Sequence, residues 1–244
     1  MGNLKISSFG ISDIGNVKKV NQDSFVYKIV EASNCYAGLF AVADGVGGLK
    51  DGEVSSAIAI SNLNKWWAYD FKDFYNDTDK LIPSLVECFT KSNIEIMDYS
   101  KSKNIRTATT LSVLFIHKNM YYIVHIGDSR IYKLTKKIER LTIDHSCYVD
   151  KIINGKTYKQ SALTECLGNR AQINCFCDSG EISKNDIFML CSDGVCKTIE
   201  DNEILNIVKR EKLDLGKACQ IVINEAKERG ETDNITLILA KVSK

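Results

Sequence analysis

Thr109-Thr110-Leu111-Ser112-Val113-Leu114-Phe115-Ile116 is followed, after His117-Lys118-Asn119-Met120, by Tyr121-Tyr122-Ile123-Val124-His125-Ile126. In the first run Leu111, Val113 and Phe115 oppose Thr110, Ser112 and Leu114, the two-residue period of a half-buried strand. Lys118-Asn119 reads as a tight hairpin into the second run. Working outward, further strand-like runs cover 4–11, 24–30, 36–43, 187–191 and 235–242. Helical faces fall between them. Ala59, Ile60, Leu63, Trp66 and Trp67 share one face, and Leu81, Leu85, Phe89 and Ile96 another. Leu215, Ala218, Cys219, Val222 and Ala226 form a third, and Ile204, Ile207 and Val208 mark a shorter helix. Strands therefore come in adjacent pairs with helices inserted between pairs. That order favours antiparallel sheets covered by helices, an α+β class, over a doubly wound parallel sheet. No repeat, low-complexity tract or linker divides the chain, so a single domain over residues 1–244 is expected.

Composition narrows the function. The 244 residues carry 32 Lys and Arg against 31 Asp and Glu, a formal charge of +1. Such a balance supplies no electrostatic footprint for DNA or RNA. No apolar run approaches the roughly 18 residues of a membrane span. Met1-Gly2-Asn3-Leu4-Lys5-Ile6 has neither the basic start nor the apolar stretch of a signal peptide, so a cytoplasmic location and no membrane association are expected. The nine cysteines contain no C-x-x-C spacing and sit mostly inside apolar runs. They read as reduced, buried small hydrophobes. Gly45, Gly47 and Gly48 do not complete G-x-G-x-x-G, because Lys50 holds the last position, and Gly155-Lys156-Thr157 does not complete G-x-x-x-x-G-K-[ST], because Asp150 stands where the first glycine is needed. A glycine-loop nucleotide site is not expected.

Aspartates mark the ends of the core-like runs. Asp44 ends Leu39-Phe40-Ala41-Val42-Ala43, Asp128 follows Ile126-Gly127, and Asp193 follows Leu190-Cys191-Ser192. Asp233 and Asp23 each stand immediately before or at the start of another run. One aspartate at a strand end is ordinary turn chemistry. Several on the rims of neighbouring strands would repel one another and be desolvated unless cations compensate. A site of carboxylates and carbonyls, without imidazole or thiolate, suits Mg²⁺ or Mn²⁺ better than zinc. The carbonyl of Gly45 can approach a metal closely, with no side chain in the way. Phosphate-ester hydrolysis is where such a cluster matters. Its uncatalysed rate is so low that enzymes supply accelerations up to ~10²¹, whereas a lone general base contributes only ~10²–10⁴.

Ser12-Asp13-Ile14-Gly15 with Asn21-Gln22-Asp23-Ser24-Phe25 resembles the opening motif of the metal-dependent serine/threonine protein phosphatases of the type 2C class, in their bacterial form. Ala43-Asp44-Gly45-Val46-Gly47-Gly48 with Gly52-Glu53 is similar to that family's second motif. Thr109-Thr110-Leu111, Gly127-Asp128-Ser129-Arg130-Ile131-Tyr132, Leu141-Thr142-Ile143-Asp144-His145-Ser146, Cys191-Ser192-Asp193-Gly194 and Thr232-Asp233-Asn234-Ile235-Thr236 follow in the family's order. The resemblance implies a four-layer α-β-β-α sandwich of two antiparallel β-sheets flanked by helices, with metals in a cleft at one end. It implies two Mn²⁺ or Mg²⁺ ions and a possible third. Asp44 would bridge two ions and the Gly45 carbonyl would bind one of them. Asp193 and Asp233 would complete the set on the other, Asp23 would act through water at the acidic edge, and Asp128 would hold the third, looser ion. A metal-bridging hydroxide would attack phosphorus in line.

This chain departs from the family in places. Lys18 stands where an arginine usually grips the substrate phosphate, so the planar bidentate fork is lost; alternatively Lys18 and Lys19 are a solvated charge pair. Gln22 replaces a glutamate, which would remove a negative charge beside the metals and cut their affinity by ~10–100-fold if its role is indirect. Val46 replaces the histidine that some members offer as a general acid, and His145 reads as a structural histidine. The stretch from Ser146 to Ala162 aligns with the family's flap and, with Lys151, Lys156 and Lys159, reads as an exposed mobile loop. The resemblance implies a monomer that acts on phosphorylated proteins, the substrates of a cytoplasmic serine/threonine kinase, without nucleic acid. Two other readings stay open: a narrow phosphatase serving one regulatory partner, and a pseudophosphatase that binds phosphoproteins without turnover.

Overall fold

A computed structural model describes residues 5–32, 35–153, 156–211 and 214–243. In chain order its strands are β1 (Lys5–Asp13), β2 (Asp23–Ala32), β3 (Cys35–Asp44), β4 (Leu111–His117), β5 (Met120–Ile126), β6 (Arg130–Leu134), β7 (Ile138–Arg140), β8 (Ser146–Ile153), β9 (Lys156–Leu163), β10 (Phe176–Glu181), β11 (Ile187–Cys191) and β12 (Ile235–Ser243). Its α-helices are α1 (Gly52–Lys65), α2 (Phe71–Phe74), α3 (Leu81–Lys103), α4 (Asp193–Cys196), α5 (Asp201–Arg210) and α6 (Leu215–Glu228). The strands form two five-stranded sheets, ordered β1-β12-β11-β6-β7 and β10-β5-β4-β3-β2, and a separate β8-β9 pair. Neighbouring strands are antiparallel throughout.

Alternation along the strands divides the interior into three cores. Leu39, Ala41, Val113, Phe115 and Val124 pack with Ala59, Leu63, Trp66, Leu85 and Phe89 of the α1–α3 layer. The intervening residues Phe40, Val42, Leu114, Ile116 and Ile123 turn the other way, onto Phe188, Leu190, Ile238 and Ala240 of the facing sheet. The outer face of that sheet, with Met189, Leu237 and Leu239, is covered by Ile204, Val208, Ala218, Val222 and Ala226 of α5 and α6. Hydrophobic burial on both faces of each sheet is what holds the layers together.

The run that opened the reading differs from expectation in one respect. β4 is buried along its whole length, on both faces, because the second sheet covers the face that carries Ser112 and Leu114. Ser112 is tolerated there because its hydroxyl lies 2.8 Å from His125 Nδ1 and donates to the Ser129 carbonyl at 3.1 Å. The hairpin turn stands where expected, with Lys118 at a positive φ of 54°. The stretch expected to be a loop is instead the β8–β9 hairpin, paired from Ser146 with Leu163 to Ile153 with Lys156. Its apolar residues Tyr148, Val149 and Tyr158 are exposed, so no buried face marks it and the backbone ladder defines it.

Candidate active site

The strand ends converge on one rim. Asp23 begins β2 directly opposite Asp44, which ends β3. β11 runs beside β12 with Cys191 opposite Leu237, so Asp193, two residues after β11, and Asp233, two residues before β12, emerge at the same end. Asp44, Asp128, Asp193 and Asp233 line a single cleft of about 500 Å³, together with Val46, Arg106, Cys166 and Lys197. Asp23 lies beneath it, buried. Gly45 follows Asp44 directly and is also buried.

Each carboxylate is aimed by its neighbours. The Asp44 amide donates to Thr110 Oγ1 at 3.0 Å, and its carbonyl accepts from the Thr110 amide at 2.8 Å and from Thr109 Oγ1 at 2.9 Å. A Cβ on Gly45 would meet the Gly52 carbonyl oxygen at 2.5 Å, and one on Gly194 would meet the Asn234 carbonyl oxygen at 2.2 Å. Only glycine lets these rim loops approach so closely. Asn234 fastens the opposite side: its Nδ2 donates to the Ile14 and Val20 carbonyls and its Oδ1 accepts from the Gln22 amide at 2.9 Å. The Asp128 turn is held by Arg130, which clamps Asp144 through Nε and Nη2 at 2.7–3.1 Å. His145 is structural, as expected. Its amide donates to the Gly127 carbonyl at 2.7 Å, and its Nδ1 accepts from the Gly127 amide at 3.3 Å.

The charges are crowded. Burial raises the Asp44 carboxyl well above the usual range, and Asp23, Asp193, Asp233 and Asp128 push it further. Burial lifts Asp23 to about 6 against hydrogen bonds from Thr236 and Ser192, with Asp193 and Asp233 adding to the rise. Asp128 is likewise raised to about 6, by burial and then by Asp193, with Lys197 opposing. Asp193 is raised by burial against the pull of Lys197. Thr236 Oγ1 and Ser192 Oγ donate to Asp23 Oδ2 at 2.6 and 2.8 Å, yet Asp23 Oδ1 and Asp193 Oδ1 are buried with no hydrogen-bond partner. Buried carboxylate oxygens without donors are costly, and hard divalent cations are the partners such a donor set suits. Among the described residues no three acidic, imidazole or thiol groups already form a closed cage. Mg²⁺-type sites need none, since they keep several waters and bind through one or two carboxylates. The donor set therefore fits Mn²⁺ or Mg²⁺.

Two lysines sit where cations are wanted. Lys18 pairs with Asp233 Oδ1 at 2.8 Å, so it is not part of a solvated pair with Lys19. Lys197 pairs with Asp193 Oδ2. Lys18→Arg is expected to lower KM for a phosphothreonine peptide roughly fivefold, about 1 kcal/mol of extra phosphate contact. An unchanged or higher KM would contradict that role. Gln22 does not line the cleft itself: its side-chain amide donates to Glu53 Oε2 at 3.2 Å and lies against Gly52, while its carbonyl accepts from the Gly45 amide at 3.0 Å. Lys197, Ser192 and Thr236 escaped the sequence reading of the site, although the last two belong to its motifs. A lysine one helical turn after an aspartate, Asp193 to Lys197, was the available signal.

A larger cleft of about 740 Å³ lies between α1 and α3, lined by Lys65, Trp66, Asp70, Glu87 and Lys91 among others. It is remote from the rim aspartates. The described cysteines are free thiols, but Cys147 and Cys177 are exposed, so the expectation of uniform burial fails for them.

The family model for protein phosphatase 2C matches residues 15–228. The chain belongs to the protein phosphatase 2C family. Its substrates are accordingly phosphoproteins, and it is a serine/threonine protein phosphatase. Relatives of this type include protein phosphatase PhpP of Streptococcus pneumoniae, 26% identical over 243 residues and 96% of each chain. Serine/threonine phosphatase stp of Listeria monocytogenes is 29% identical over 217 residues and 82% of each chain. Among solved structures, the serine/threonine phosphatase of S. agalactiae superposes with a TM-score of 0.83 at 24% identity, covering 97% of this chain and 99% of that one. The catalytic domain of the phosphatase PstP, solved in complex with two manganese ions, gives 0.77 at 24% identity, covering 99% and 100%. The type 2C fold, two antiparallel sheets between helical layers, is thus the fold of this chain.

Proposed function

We propose that this protein phosphatase 2C hydrolyses phosphoserine and phosphothreonine in proteins with two divalent cations, Mn²⁺ or Mg²⁺, and that residues 1–244 form one catalytic domain. Asp44, the Gly45 carbonyl, Asp193 and Asp233 would hold the pair, with Asp23 acting through water and Asp128 at the edge. One observation carries the reading: Asp44, Asp128, Asp193 and Asp233 line one cleft, over buried Asp23 and Asp193 oxygens that lack partners.

Such a pair, when bound, lowers the pKa of water to near neutrality and neutralises the phosphoryl oxygens. The chain's own residues do the rest. Thr109 and Thr110 fix the Asp44 backbone, so its carboxylate is aimed before substrate arrives. Lys18, freed when Asp233 turns to a cation, is at hand for the substrate phosphate. Val46 lines the cleft and can donate no proton, so the leaving alkoxide would not take its proton from a side chain at this position. Cys166, the thiol of the cleft, is pushed up to about 11 by burial, so it is not a thiolate nucleophile at neutral pH. The phosphoproteins would be those made by a cytoplasmic serine/threonine kinase.

A second reading, phosphoprotein binding without turnover, is favoured by the Lys18–Asp233 and Lys197–Asp193 pairs, which already neutralise two carboxylates. Phosphate release from a phosphothreonine peptide separates the two. Turnover is expected with Mn²⁺ or Mg²⁺ and none with chelator; binding of the peptide without release by metal-loaded protein would favour the second reading.

A further inference from the structure

Asp193 opens the short helix α4, and Lys197 caps its C-terminal end in helical conformation. The spacing of four residues is one turn, so the lysine side chain returns along the helix face to its own first residue. There its ammonium takes Asp193 Oδ2 and leaves Oδ1 buried and without a partner. The two oxygens of this one carboxylate are thus divided: one is spoken for by the chain itself, the other is available to a metal.

Lys197 also stands where two clefts meet. The rim cleft of about 500 Å³ and an adjoining one of about 250 Å³ share Asp128, Asp193 and Lys197 in their linings. The far wall of the smaller cleft is the β8–β9 hairpin, through Ser146, Tyr148 and Ser161. Asp193, Asp233 and Asp128 are among the carboxylates that line the rim cleft with the ammonium. A divalent cation between Asp128 and Asp193 would have to displace the ammonium from Oδ2 and sit beside its charge, which low-dielectric surroundings make unfavourable.

We propose that the Lys197 ammonium is a built-in cation on the Asp128–Asp193 side of the cleft, so that this chain holds two divalent ions where its carboxylates alone would take a third. The inference rests on the two-cation reading above. It makes Lys197 a positioning residue: it fixes which Asp193 oxygen faces the metals and supplies a positive charge at that edge whatever the metal concentration. Lys197 is about half exposed, so its substitution is expected to leave the fold intact.

Mn²⁺ stoichiometry of the full chain, by calorimetric titration and native mass spectrometry, tests it. Two ions are expected for the wild type and for Lys197→Arg, and three for Lys197→Ala. The third should be lost again in Lys197→Ala combined with Asp128→Asn. Three ions in the wild type, or two in Lys197→Ala, would overturn the proposal while leaving the two-cation reading intact. No Mn²⁺ binding to any of these proteins would overturn both.

Discussion

Asp44→Asn is expected to abolish phosphate release and at the same time to raise the melting temperature of the metal-free protein. The two effects have one cause. Asp44 is the carboxylate that Asp23, Asp193, Asp233 and Asp128 all push upward in pKa, in a setting where burial already opposes its charge. Without cations that charge is a liability, and an isosteric amide removes it while keeping the backbone bonds to Thr109 and Thr110. Relief of a poorly compensated buried group is worth on the order of 1–3 kcal/mol, and at this chain length each kcal/mol is about 2–4 °C. With metals the same substitution would take away a charge that the proposed site uses to hold them. The loss of turnover should be at least ~10³-fold, at or above what a single preorganised transition-state donor supplies. Thermal melts in chelator and phosphate release with Mn²⁺, run side by side on wild type and variant, check both halves. A variant that melts lower without metal and keeps activity would contradict the account.

The rim carboxylates should cost the metal-free protein stability as pH rises from about 4 to about 6, the opposite of the usual carboxylate contribution. Asp23 and Asp128 have folded-state values of about 6 against an ordinary 3.8, and Asp44 and Asp193 are shifted in the same direction. A group raised on folding contributes its stability in full below the unfolded value and loses it as pH rises through the folded one. Asp13, lowered by the Gly15 amide and Lys227 against burial, works the other way, as does His125, which burial lowers to about 4, with His117 and His145 lowered by burial too. Divalent cations compete with the protons for the same oxygens, so Mn²⁺ should remove the loss and stabilise most at neutral pH. Melting temperatures at pH 5 and 7, with chelator and with Mn²⁺, measure this directly. In chelator, Asp128→Asn should gain more melting temperature over wild type at pH 7 than at pH 5; an equal gain at both would show that the rim carboxylates are not crowded as described.

Much of the fold and the rim was legible because it rests on short-range pattern. Alternation in β4 and β5 announced a hairpin, and Ala59, Leu63 and Trp66 announced a buried helical face. The strand-end position of Asp44, Asp128, Asp193 and Asp233 announced a shared edge, since strands of paired sheets end together. What stayed hidden depends on three-dimensional neighbours. Ser112 looked like the solvent side of a strand until the second sheet covered it. Apolar residues of β8 and β9 such as Tyr148, Val149 and Tyr158 are exposed, so no buried face marked the pair. The Gln22 amide reaches Glu53, thirty-one residues away, which motif position alone did not reveal. Lys197 lies just beyond the Cys191-Ser192-Asp193-Gly194 motif, and its ion pair with Asp193 makes it part of the site.

The central claim is that the rim carboxylates hold a pair of divalent cations. Anomalous diffraction at the manganese edge from crystals of the Mn²⁺-loaded full chain tests it most directly. The account predicts two peaks ~3.5–4 Å apart, bridged by Asp44, with Asp193 and Asp233 on one of them. A lone peak away from Asp44, or none while Lys18 and Lys197 keep their carboxylates, would contradict it.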